Sequence, residues 1–205
     1  MGMSQTQARF VALWTRSGGL DAEAVYADLA RRYGEAARHY HTLRHIRRCL
    51  RDLDRARGVV PHPDSVELAL WCHDVIYRPG ARDNEARSAD WFRHWAAGRI
   101  AAGERIRDMI LATQHHVVPA EPDVRFVVDI DLAVLGATRS RFREDGLRLR
   151  AERPDLDDRT YDRQVRAILG ELLARPRIYY TDLFHARCEA RARRNLTWRL
   201  GLPPP

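Results

Sequence analysis

The segment from Val66 to Tyr77, VELALWCHDVIY, is apolar on nearly every side and is broken only by Glu67, His73 and Asp74. Read as a helix, such a stretch has no face to give to water and must be enclosed by the rest of the chain. The rest is built to enclose it. Helical patterns cover residues 5–16, 21–33, 39–57, 64–77, 83–97, 101–116, 123–135, 140–152, 158–174 and 182–198. Gly and Pro punctuate them, at Ser17-Gly18-Gly19, Gly34, Gly58, Pro61-His62-Pro63 and Pro79-Gly80, with Asp21 and Asp64 read as N-caps.

No Asn-Gly or Asp-Gly turn separates two alternating apolar runs, and Asp145-Gly146 lies in a charged helical pattern instead. Phe126 to Leu135 has a β-branched run that periodicity alone would allow as a strand, and its helical surroundings favour helix. No linker divides the chain. The expectation is one all-α helical bundle over residues 1–205, ending in the short tail Pro203-Pro204-Pro205.

Composition narrows the class. The chain is 45% apolar and 31% charged, which excludes wholesale disorder and collagen-like repeats. No apolar run approaches the roughly 20 residues of a spanning helix. Cys49, Cys72 and Cys188 are scattered with no CxxC pair, which fits a reducing compartment rather than a disulfide framework. MGMSQTQARF contains no apolar leader-like stretch, so a cytoplasmic location is expected. Gly2 to Thr6 match a loose myristoylation pattern, for which an ordinary start region is the favoured reading.

The basic excess is formally +7, and all 35 basic residues are arginine. Most alternate with acids, as at Arg51-Asp52 and from Arg141 to Glu144, which reads as solvated helix faces with ion pairs. Nucleic acid is therefore the less favoured partner, with Arg187 to Arg199 its densest candidate contact. A positive field that draws in a phosphorylated small molecule is the favoured reading.

Three apolar settings carry polar groups that need an explanation. A buried carboxylate either neutralises or finds a partner, and His73-Asp74 lies in the most apolar segment of the chain. His41 and His45 are spaced i, i+4, so on a helix their imidazoles point the same way; a solvated pair fits that spacing equally well. Asp129 and Asp131 interrupt FVVDIDLAVL, where one fits a cap or ion pair and the other a cation ligand. Two imidazoles and two carboxylates make a nitrogen and oxygen site for Mn, Mg, Fe, Co, Ni or Zn rather than a thiolate site. Four protein ligands leave positions open, which is a catalytic arrangement.

The strings RHYHTLRHI (38–46), ELALWCHDVIY (67–77), DNEARSA (83–89), ILATQHH (110–116), DIDLAVLG (129–136) and RPRIYYTDLFHARCEARARRNL (175–196), in this order, resemble a bacterial family of metal-dependent phosphohydrolases within the HD superfamily. The resemblance spans about 38–196 and implies an HD-domain-like helical bundle. It also implies His45, His73, Asp74 and Asp131 as ligands of a divalent metal ion, with Asp131 preferred over Asp129 because Asp131-Leu132 matches the superfamily position.

His41, four residues before the first ligand, takes the place of the general acid, with His115 as the alternative. Glu85 is either a general base near the metal or, with Asp83 and Asn84, part of a helix start. The resemblance makes His115 and His116 candidates for phosphate contact or for binding a second metal, Arg44 is a further candidate for the substrate phosphate, and His94 has no counterpart. The implied activity is hydrolysis of a phosphoester, with a nucleotide or similar small phosphorylated metabolite as substrate. Two alternatives stand beside it. An HD-type di-iron oxygenase would need two more histidine ligands, and a non-catalytic nucleotide- or RNA-binding module would have no need of all four ligands.

Overall fold

The computed structural model describes residues 3–114 and 118–203. The described residues form ten α-helices and no strand: α1 Gln5–Arg16, α2 Ala22–Tyr33, α3 Leu43–Ala56, α4 Pro63–Cys72, α5 Asn84–Ala96, α6 Gly103–Ala112, α7 Pro122–Leu132, α8 Arg139–Ala151, α9 Asp158–Ala174 and α10 Asp182–Leu200. A 3₁₀ turn, Ala133–Gly136, continues α7. The segment Phe126 to Leu135 is thus helical, as its surroundings suggested. No helix of the described residues is long and apolar enough to cross a membrane.

Local chemistry sets the helix starts. The side chains of Ser4, Thr42, Thr138, Asp157 and Thr181 each accept a bond from a backbone N–H of the first turn, satisfying a donor that has no helical partner. Pro63 and Pro122 occupy first-turn positions, where their missing N–H costs nothing. Two expected caps work differently. Asp21 precedes α2 with a left-handed backbone (φ 53°) and no side-chain bond to it. Asp64 lies inside α4 after Pro63, where it pairs with Arg16 instead of capping.

α4 is the central rod. Every residue from Ser65 to Cys72 is buried, and the helix packs against α1, α3, α5, α6 and α7. Trp71 meets Phe10 of α1 edge-on at 5.3 Å between ring centroids, and Phe10 in turn stacks on Trp14. Glu67, the one acid enclosed on this rod, is paired with Arg9 at 2.7 Å and with Arg57.

Several helices end where the periodicity did not place them, α6 at Ala112 among them, and two of these ends matter for the site. The apolar pattern runs to Tyr77, yet α4 stops at Cys72, leaving His73 and Asp74 in the turn that follows. The pattern from 39 becomes helical only at Leu43, so His41 lies in the turn before α3.

The 3₁₀ turn and α10 approach closely. A Cβ on Gly136 would fall 2.7 Å from the Cys188 Cβ and 3.0 Å from its Cα, a contact with helix backbone that cannot swing away. Asn195 holds the same turn by donating to the Leu135 and Ala137 carbonyls. Gly136→Ala should therefore lower the unfolding free energy by about 1–3 kcal/mol. Gly146→Ala, in α8 with open space around it, should be neutral or stabilise by roughly 0.5–1 kcal/mol. Urea midpoints of the two variants check the contrast.

Candidate metal centre

Four donor atoms from three parts of the chain converge. His45 Nε2 lies 3.2 Å from His73 Nε2, 3.5 Å from Asp74 Oδ2 and 3.2 Å from Asp131 Oδ1. His73 Nε2 is 2.9 Å from Asp74 Oδ2 and 3.5 Å from Asp131 Oδ1. Both imidazoles are buried. Ligands held about 2.1 Å from one ion stand about 3.0 Å apart at octahedral edges and about 3.4 Å apart at tetrahedral ones; the His–His and His–Asp separations fall in this range, and the donors form two groups that share His45, one with His73 and Asp74 and one with Cys49 and Asp131.

Hydrogen bonding orients the donors. His73 donates its Nδ1–H to the Leu70 carbonyl at 3.0 Å, which leaves Nε2 as the lone-pair nitrogen of the neutral ring facing the cluster. Burial disfavours charge on His45 and lowers its pKa below the ordinary value, despite Asp131 beside it. Burial also opposes charge on His73, but the Asp74 and Asp131 carboxylates outweigh it and raise that pKa. Asp74 is lowered in turn, because His73, His41 and His45 overcome its own desolvation. A cation at the centre would take the place of the proton that the two carboxylates favour on His73.

Cys49 Sγ approaches the His45 ring at 3.7 Å, and His45, Cys49 and Asp131 also group closely enough to hold an ion. Burial and the nearby carboxylates push the Cys49 pKa well above its ordinary value, so without an ion it stays a thiol.

The two aspartates of α7 divide their roles. Asp129 is buried and accepts from the Tyr180 N–H (2.8 Å), the Thr181 N–H (2.7 Å) and the Thr181 hydroxyl (2.7 Å), tying α7 to the start of α10. Asp131, two residues on, reaches the histidines.

His41 reaches the cluster from a turn rather than from the helix face that its spacing suggested. The reason is Glu152, at the end of α8. One of its oxygens accepts the backbone N–H groups of His39, Tyr40 and His41 at 2.7–2.9 Å, which fixes that stretch outside the helix. The other accepts from His41 Nδ1–H at 2.6 Å. The His41 ring stacks on Tyr77, centroids 4.0 Å apart. Burial works against a charge on His41, but Asp74 and Glu152 prevail and raise its pKa.

Arg38 is the second group that pattern reading passed over. Its buried guanidinium donates to the Asp74 and Val75 carbonyls at 2.6 and 2.9 Å and lies over the Tyr33 and Tyr77 rings. Ser88 closes the same turn by exchanging bonds with the Ile76 backbone. Arg38 opens the RHYHTLRHI string, so adjacency to the histidines was its one signal. Glu152 sits in a charge-dense helix end more than a hundred residues away and gave none.

Other expected residues lie elsewhere. Glu85 is half-buried in the first turn of α5 and meets Gln114 at 3.5 Å, outside the four-donor cluster. Asp83 flanks that helix without a side-chain cap bond, and Asn84 instead braces the loop through Arg78. Arg44 is exposed in the first turn of α3, and His94 is exposed against Trp95. His115 and His116 lie outside the described residues. No family model, curated protein or solved structure matches the chain.

Glu152 should leave a pH signature in stability. Burial alone would raise its pKa, but His41 and the backbone N–H groups of His41 and Tyr40 pull it down from 4.5 to about 2. A carboxylate lowered on folding stabilises fully above its unfolded pKa, and that contribution fades as pH falls toward the folded value. Glu152→Gln should therefore cost about 2 kcal/mol at pH 7, with allowance for solvent screening. Denaturant titrations should show the gap to wild type narrowing steadily below pH 4.5.

Proposed function

We propose that the protein is a metal-dependent phosphohydrolase acting on a small phosphorylated metabolite, with a nucleotide as the leading class. The observation that carries this reading is the convergence of two buried imidazoles, 3.2 Å apart, with two carboxylates that each lie within 2.9–3.5 Å of both rings. The resemblance of the motif series to the HD superfamily points the same way, and His45, His73, Asp74 and Asp131 are its matching positions. These four would hold a divalent ion, which when bound acidifies water and polarises a phosphoryl oxygen.

The remaining groups fall into roles by geometry. His41, with its pKa raised and its Nδ1–H fixed on Glu152, keeps the Nε2 proton for a leaving oxygen. Glu152 is a positioning residue, since it acts through His41. Arg38 holds the backbone that carries Asp74. Arginines near the cluster offset charge on the phosphoryl oxygens.

Metal analysis of protein purified without chelator, followed by a metal-supplemented phosphoester screen, tests the reading. Asp131→Ala and His73→Ala should lose the metal and lower activity by at least about 100-fold while keeping the helical circular dichroism. Metal at about 100 times its dissociation constant should stabilise the wild type by about 2.7 kcal/mol. Two irons per chain together with oxygen consumption would overturn the hydrolase assignment.

His41→Gln should keep the metal and lose about 10²–10⁴ in kcat on an alkyl phosphate. The loss should be much smaller on a nitrophenyl phosphate, whose leaving group departs without a proton. Equal losses on both substrates would remove His41 from the acid role.

A further inference from the structure

Beside the donor cluster lies a cavity of about 480 Å³, with His45 and Asp131 on one side of it. Six arginines line the same cavity: Arg48, Arg51 and Arg55 from α3, Arg141 from α8, and Arg187 and Arg191 from α10. On α3 these residues stand at i, i+3 and i+7, and on α10 at i and i+4, so each helix turns one arginine face toward the same volume. Like charges at that spacing repel, and the only carboxylates among the described lining residues are Asp52 and Asp131. A merely solvated face would alternate the two signs.

The fold fixes part of this wall and leaves part of it open. Buried Asp145 holds Arg48 at 2.5 Å and Arg141 at 3.3 Å, and Asp52 takes Arg55 at 3.0 Å and also Arg187. Arg51 and Arg191 form no ion pair among the described residues. Tyr40 is the one aromatic ring among the described lining residues, apart from the His45 imidazole, and the Arg48 guanidinium lies over it at 5.3 Å. Ala133, Gly136 and Ala137 keep the floor small. The cavity thus has several guanidinium forks for anionic oxygens and, among the described residues, no free ring on which a base could stack.

We infer that this arginine-walled cavity binds a condensed phosphate chain, so that the substrate class is a polyphosphorylated molecule lying with one phosphoryl group at the His45–Asp131 end and the others on Arg51, Arg191 and their neighbours. The position of the reacting phosphoryl group rests on the metal reading above; the anion site does not. In the reaction, a bond forms between water oxygen and phosphorus and one bridging P–O bond breaks. The departing phosphate leaves with the bridging oxygen, and the proton lost by water ends on one of the two phosphate products.

Isothermal titration of the full chain in chelator with inorganic tripolyphosphate, orthophosphate and a nucleoside triphosphate tests this. Tripolyphosphate should bind at least tenfold more tightly than orthophosphate. Arg51→Gln/Arg191→Gln should weaken tripolyphosphate binding tenfold or more, and Arg93→Gln/Arg105→Gln, the same charge change on exposed positions outside the cavity, should alter it less than twofold. Comparable affinity for the nucleoside triphosphate would place recognition in the phosphate chain alone. Equal losses in the two double variants, or no preference for the chain over orthophosphate, would overturn the inference. Asp131→Asn separates the two readings: it should abolish metal binding while tripolyphosphate still binds in chelator. Metal-dependent activity with no tripolyphosphate preference would sink the anion site and leave the metal centre standing.

Discussion

Two carboxylates and two imidazoles enclosed beside an apolar core call for positive charge, and much of the architecture around them answers that demand. Asp74 lies 2.9 Å from His73, and Asp131 lies 3.2 Å from His45. In the absence of an ion the neighbouring carboxylates favour a proton on His73, which is one compensating charge. A divalent ion brings two and matches the four lone pairs in direction as well as in sign. Proton and metal therefore compete for the same lone pairs, and the electrostatic cost of the cluster explains why it sits at one side of the core, against a solvated cavity.

The donors are delivered mostly by chain ends of helices rather than by their faces. His45 is in the first turn of α3, Asp131 in the last turn of α7, and His73 and Asp74 follow the end of α4. A helix end has free carbonyls and N–H groups, so it needs partners, and those partners double as the site's support. Arg38 takes the carbonyls after α4, and Glu152 takes the N–H groups before α3. The same bonds that complete the backbone thereby set the positions of Asp74 and His41. Loosening either support would move a functional side chain without touching the apolar core.

Helix identity was legible in the chain because it depends on local periodicity and on punctuation by Gly and Pro. The burial of α4 was legible because VELALWC offers water no face. The ends were less so. Apolarity continues through Val75 and Ile76, which are packed in a turn, so hydrophobic periodicity overran the true stop at Cys72. Asp129 and Asp131 look equivalent in sequence and differ only because Thr181, fifty residues on, claims the first of them. Glu152 was illegible for the same reason, since nothing local marks an acid whose partners lie at 39–41. Whatever depends on a distant backbone amide has no sequence period to reveal it.

The arginine excess divides along a physical line. Arg16, Arg150 and Arg153 each lie within 3 Å of a carboxylate, and pairs of this kind on a wet surface contribute little beyond solubility. The arginines of α3 and α10 that face the cavity outnumber the acids within reach, and their mutual repulsion is a cost that local pairing does not offset. Folded chains carry such costs at sites where a ligand relieves them. Net charge alone could not separate these two populations, because both contribute the same formal +1. The separation appears only when each guanidinium is set beside its nearest carboxylate, and it turns a diffuse basic character into a directional one, pointing from α3 and α10 toward the four donors.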